Sequence, residues 1–69
     1  MKKDTIGDRI KELREERKLT QVQLAQELKL DKSTIAKYET GKVEPSLSII
    51  YLLIDYFRVS ADYLLGLID

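Results

Sequence analysis

Apolar residues recur along this chain at helical rather than strand spacing. Ile6, Ile10 and Leu13 fall at i, i+4 and i+7, and Leu24, Ala25 and Leu28 repeat the stripe. Ile35 and Tyr38 form a shorter inward pair, and 47–57 is apolar almost all round. No segment alternates at period two, so strands are not expected. The pattern predicts five helices, over about 6–18, 21–28, 32–40, 47–57 and 61–65. The expected fold class is all-α, one compact domain over 1–69 with its core in about 6–66.

Local capping chemistry sharpens these boundaries. Thr5 precedes the first helix, with Asp8 three residues on as an imperfect capping box. Thr20 and Gln23 form a T-x-x-Q box for the second. Asp31 is the expected N-cap of the third helix, and Gly41 its left-handed C-terminal stop. Ser46 and Ser60 cap the fourth and fifth helices, and Gly66 ends the fifth. Residues 20–41 thus read as two short helices joined by a turn tight enough to force a near-perpendicular crossing. That is a helix-turn-helix, whose second helix can enter a DNA major groove.

The fourth helix carries two apolar stripes. Leu47, Ile50, Leu53, Ile54 and Phe57 form the face expected in the core. Ile49, Leu52 and Tyr56 form the other. A helix apolar on both sides is either fully buried or faces a partner. Ile49, Leu52 and Tyr56, with Tyr63, Leu67 and Ile68, are therefore expected to build a homodimer interface. The alternative is that the C-terminal tail folds back over the stripe.

Composition narrows the function. With no cysteine and no histidine, the chain lacks disulfides, thiolate metal ligands and the usual neutral-pH acid–base group. No nucleophile–base pair, metal set or phosphate-cradling glycine loop is present, so no enzyme, cofactor, metal site or small-molecule substrate is expected. No apolar run reaches a membrane span and no signal-peptide core is visible, so a cytoplasmic protein is expected. The formal net charge is zero, but its distribution is lopsided. Residues 1–42 hold eleven Lys and Arg against eight Asp and Glu, a balance of +3. Residues 43–69 hold Arg58 against Glu44, Asp55, Asp62 and Asp69, a balance of −3. A basic working end and an acidic far end follow, with weak non-specific binding to nucleic acid.

Reading bases in a major groove needs donors and acceptors near the N-terminus of the inserted helix. Lys32, Ser33 and Lys37 meet that need, the lysines as donors to guanine O6 and N7. Ala36 suits a thymine methyl, and Thr34 is expected at a phosphate. Gln21 stands at the N-terminus of the second helix, where open N–H groups favour an anion. Gln23 is a weaker candidate because its capping role competes.

Taken together, RIKELREERKLTQVQLAQEL, the turn Lys29-Leu30-Asp31, STIAKYETGKVEPSL and VSADYLLG resemble the Cro/lambda-repressor-like (Xre) family of helix-turn-helix DNA-binding domains. The resemblance implies a compact five-helix domain that binds double-stranded DNA as a transcriptional regulator. A repressor on a palindromic operator, acting as a homodimer, fits it best. It supports Lys32, Ser33 and Lys37 at bases, and Gln21 at phosphate. It adds Thr40 and Lys42 as phosphate contacts. It also implies a partly buried ion pair between Arg14 and Glu39. One departure stands out: the family usually has glycine in the turn where this chain has Lys29. The rival reading keeps the fold without DNA reading, as an antitoxin-like or regulatory protein-interaction module.

Overall fold

A computed structural model describes residues 5–68. Among them are five helices: α1 (Ile6–Glu16), α2 (Gln21–Leu28), α3 (Lys32–Thr40), α4 (Leu47–Phe57) and α5 (Ala61–Leu64). Their N-termini are fixed mostly as the local sequence dictates. Thr5 accepts from the Asp8 amide while Asp8 returns a bond to the Thr5 amide, so this capping box is complete rather than imperfect. Thr20 and Gln23 close a second one. Ser46 and Ser60 cap α4 and α5. Asp31 differs from expectation, because its side chain makes no capping bond.

Every helix stops on a left-handed residue, and only two of the five are glycine. Gly41 and Gly66 have φ of 79° and 77°, whereas Lys18, Lys29 and Arg58 sit at 57–58°. In each case the following residue donates its amide five positions back: Leu19 to Arg14, Leu30 to Ala25, Lys42 to Lys37, Val59 to Ile54 and Leu67 to Asp62. This is the hydrogen bond of a Schellman stop. Leu19, Leu30 and Val59 also fold back onto the core, adding apolar contact to the bond. The stop at Lys18 shortens α1, which ends at Glu16 rather than near 18, and α5 ends at Leu64 rather than 65.

A non-glycine residue in the left-handed region costs on the order of 1 kcal/mol. Lys29→Gly should therefore stabilise the protein by roughly that amount, read as a higher melting temperature. A fall would mean that the turn does not hold Lys29 left-handed in solution.

α3 is the hub, packing broadly against both α1 and α2. Ile10, Leu13, Leu24, Ala25, Leu28, Ile35, Tyr38, Leu53, Phe57 and Leu64 make one continuous core. α1 and α3 approach so closely that Gly7 lies directly against the backbone carbonyls of Tyr38 and Glu39. Arg9 is buried beneath α5, its guanidinium 4.4 Å from the Tyr63 ring centre and bonded to the Ile68 carbonyl at 3.2 Å. Arg17 caps the far end of α4 by donating to the Tyr56 and Phe57 carbonyls at 3.2 and 3.0 Å. A cation at a helix C-terminus satisfies orphan carbonyls and opposes the helix dipole.

α4 corrects the helical-wheel reading. Leu53 and Phe57 are buried and Ile50 and Ile54 half-buried, but Leu47, expected in the core, is 64% exposed. It stands in the first turn, and a helical side chain leans back toward the N-terminus, beyond the end of the core. Tyr51, one turn on, is equally exposed.

Candidate nucleic-acid interface

α3 divides cleanly between two faces. Ile35, Tyr38 and Glu39 point inward and are buried. Lys32, Ser33 and Lys37 are exposed on the opposite side, with Ala36 half-buried between them. These four line an open concavity together with Thr40 and Lys42. None of the Lys32, Lys37 or Lys42 ammonium groups is paired with a carboxylate among the described residues. The concavity is therefore donor-rich, unneutralised and floored by a methyl group.

The inner face is held by charge as well as by packing. Arg14 Nε donates to Glu39 Oε2 at 2.6 Å and Arg14 Nη2 to Glu39 Oε1 at 3.0 Å, a bidentate pair. The two side chains are 11% and 3% exposed. The Arg14 guanidinium is pushed above its ordinary range, first by the hydrogen bond to Glu39. Its remaining nitrogen, Nη1, donates to the Leu19 carbonyl at 2.8 Å. The ion pair implied by the family resemblance is thus present in the structure, and it ties α1 to α3.

Glu39 Oε1 accepts a third bond, from Gln21 Nε2 at 3.0 Å. No local pattern along the chain marks this link, since its partners stand 18 positions apart. It fixes the rotamer of Gln21 and leaves the second N–H of that amide for another acceptor. The closed capping box engages the Gln23 side chain at the Thr20 amide, consistent with its weaker candidacy. Gln21 and Val22 retain the open amides of a helix N-terminus. Thr34 is half-buried, and Thr40 donates its hydroxyl to the Lys37 carbonyl at 3.3 Å. Thr40 would have to exchange that long bond to donate to a phosphate.

The residues expected at a subunit interface are less uniform. Leu52, Leu67 and Ile68 are exposed, whereas Ile49, Tyr56 and Tyr63 are half-buried. The Tyr56 hydroxyl reaches Glu27 at 3.4 Å, and the Tyr63 hydroxyl reaches Glu12 at 3.2 Å. Exposed Leu47 and Tyr51 shift the open apolar edge of α4 away from the stripe first expected.

A helix-turn-helix family model matches residues 10–64, which span α2, the turn and α3. The chain belongs to the helix-turn-helix family. Within that family it is similar to the immunity repressor protein of Bacillus phage phi105, at 40% identity over 62 residues. That match covers 90% of this chain and 43% of the relative. It is also similar to the transcriptional regulator AnsR of Bacillus subtilis (strain 168), at 41% identity over 59 residues, covering 86% and 51% respectively. The chain thus spans about half the length of the curated relatives it matches. Among solved structures, it superposes on the P22 c2 repressor in complex with a synthetic operator, with a TM-score of 0.82 and 27% identity. That match covers 90% of this chain and 94% of the other. The five-helix, lambda-repressor-like fold expected of a helix-turn-helix protein of this type is the one observed.

The fold also uses residues that sequence reasoning passed over. Gly7, Arg9 and Arg17 set how α1 meets α3, α5 and α4. Their partners lie 31 or more positions away, so no local signal marked them.

Proposed function

We propose that this helix-turn-helix protein is a sequence-specific DNA-binding transcriptional regulator, acting in the cytoplasm as a repressor that occupies an operator without catalysis. The observation that carries this reading is the outer face of α3 and the loop that follows it, where three ammonium groups with no carboxylate partner among the described residues share one open concavity with a serine and a methyl group. Lys32, Ser33 and Lys37 read bases, with Ala36 against a thymine methyl. Gln21, Thr34, Thr40 and Lys42 hold the flanking phosphates. Two chains on a palindromic operator place their α3 helices about 34 Å apart, one turn of the duplex. Ile49, Leu52, Tyr56, Tyr63, Leu67 and Ile68 are the proposed contact between them.

The test is equilibrium binding to duplexes selected from a random pool. Lys32→Ala and Lys37→Ala should each cost about 1–3 kcal/mol on the selected operator and relax specificity at one position. Lys42→Ala should weaken all sequences about equally and reduce the salt slope by about one. The selected complex should contain two chains per palindrome. Salt-independent binding, or no loss from either lysine, would transfer the argument to the protein-interaction reading. The neutral net charge and the exposed Leu47 and Tyr51 favour that second reading.

A further inference from the structure

We propose that Glu39 is a positioning residue for DNA contact: from the interior it holds the Gln21 amide ready for a phosphate before the duplex arrives. This rests on the DNA-binding reading proposed above, and it gives the buried ion pair a part in affinity as well as in stability.

The Glu39 carboxylate does more than neutralise Arg14. Bonds from Arg14 Nε and Nη2 already complete the bidentate pair. The third bond, from Gln21 Nε2 to Oε1, is not needed for charge balance. Glu39 is buried and Gln21 half-buried, so this bond runs from the interior to the rim of the domain. Arg14 reaches the same place from the other side. Its Nη1 donates to the Leu19 carbonyl, and its own carbonyl accepts from the Leu19 amide at 3.1 Å. Leu19 precedes Thr20, the N-cap of α2, and Gln21 is the first residue of that helix. The pair thus fixes both the backbone that enters α2 and the first side chain on it, and joins them to α3.

Ordering a long, free side chain at the moment of binding weakens association by about 2- to 10-fold. Glu39 imposes that order in the free protein and leaves one Nε2 hydrogen for an outside acceptor. The open amides of Gln21 and Val22 stand beside it. Charge permits the arrangement. A lone carboxylate would repel an approaching phosphate, but Arg14 compensates Glu39 at 2.6 Å. A phosphate therefore meets a neutral pair with a fixed donor in front of it. Because that contact touches no base edge, its loss should weaken all duplexes alike.

Duplex binding in two backgrounds tests the proposal: the wild type, and Arg14→Met with Glu39→Met, which removes the pair without stranding a charge. Gln21→Ala and, as a control, Lys42→Ala are placed in each. In the wild type, Gln21→Ala should weaken every duplex by about 3- to 10-fold, with base preferences and salt slope unchanged, since it removes an uncharged contact. Without the pair, the same substitution should cost less than about twofold, while Lys42→Ala costs the same in both backgrounds. If Gln21→Ala costs as much without the pair as with it, or if both substitutions lose their effect together, Glu39 is structural only and the proposal fails. NMR relaxation of the Gln21 side-chain amide in the free wild type keeps the test open if the Met variant does not fold. An amide as ordered as the helical backbone supports the proposal, and a mobile one overturns it. If Gln21→Ala changes nothing while Lys32→Ala and Lys37→Ala still weaken binding, the proposal fails alone. If the wild type binds no duplex, the DNA-reading function fails with it.

Discussion

Glu39→Ala is expected to cost about 3 kcal/mol and at most about 5 kcal/mol of folding stability, because it leaves the part-buried Arg14 guanidinium without its carboxylate. A chain of this size has only roughly 3–10 kcal/mol in total. At about 4–8 °C per kcal/mol, thermal melting should show a fall of roughly 12–40 °C. Arg14→Met should do comparable damage by stranding Glu39. The informative comparison is the double variant, Arg14→Met with Glu39→Met, which removes both charges from the low-dielectric site. It should be less destabilised than the sum of the single variants. Additive losses would show that the two side chains act independently and that the bidentate contact contributes nothing as a pair. The guanidinium is the group with a shifted titration here, and its shift is upward. The stability it contributes is therefore present below the ordinary guanidinium range and lost only as pH rises through the elevated value. Titration through neutral pH should leave that contribution in place.

Gly7→Ala is the second large effect, and its sign separates two physical arguments. Helix propensity alone favours alanine by up to about 1 kcal/mol at an interior helical position. Packing opposes it. A methyl group at Gly7 would stand inside contact distance of the Tyr38 carbonyl oxygen and 2.9 Å from that of Glu39. Both obstacles are backbone, so α1 and α3 must separate rather than a side chain swing aside. Overpacking of this kind costs about 1–3 kcal/mol or more. We expect a net loss of about 2 kcal/mol in denaturant unfolding, with α3 displaced relative to α1. A stabilised variant would mean that the two helices do not approach this closely in solution.

What the sequence revealed was mostly local. The Thr20–Gln23 box and the stop at Gly41 each depend on residues within one turn, so their residue types sufficed to place α2 and α3. The donors at Lys32, Ser33 and Lys37 were legible for the same reason, since nine residues of helix fix which side chains share a face. Longer-range features were not legible. Gly7 owes its importance to carbonyls 31 and 32 positions away, and Gln21 owes its held rotamer to Glu39. Leu47 was assigned to the core because a helical wheel treats every turn as equally covered, and the first turn of α4 is not. Asp31 takes the N-cap position as expected, but the Thr34 amide goes to its carbonyl and its side chain makes no capping bond. The left-handed stops at Lys18 and Arg58 lacked the glycine that usually marks them. Their visible sign was the apolar residue that follows each, Leu19 and Val59.

The division of α3 into an anchored inner face and an unattached outer one has an evolutionary consequence. Ile35, Tyr38, Glu39 and the carbonyls against Gly7 hold the helix from behind, so its axis does not depend on what projects from the front. Lys32, Ser33 and Lys37 form no side-chain hydrogen bond or ion pair with the described residues. Such positions can be exchanged as a set while the scaffold is inherited intact, and under the proposed function such an exchange gives a descendant a new operator. Under the proposed function, drift in DNA preference and drift in fold stability are uncoupled, and gene duplicates can diverge in target without passing through unfolded intermediates.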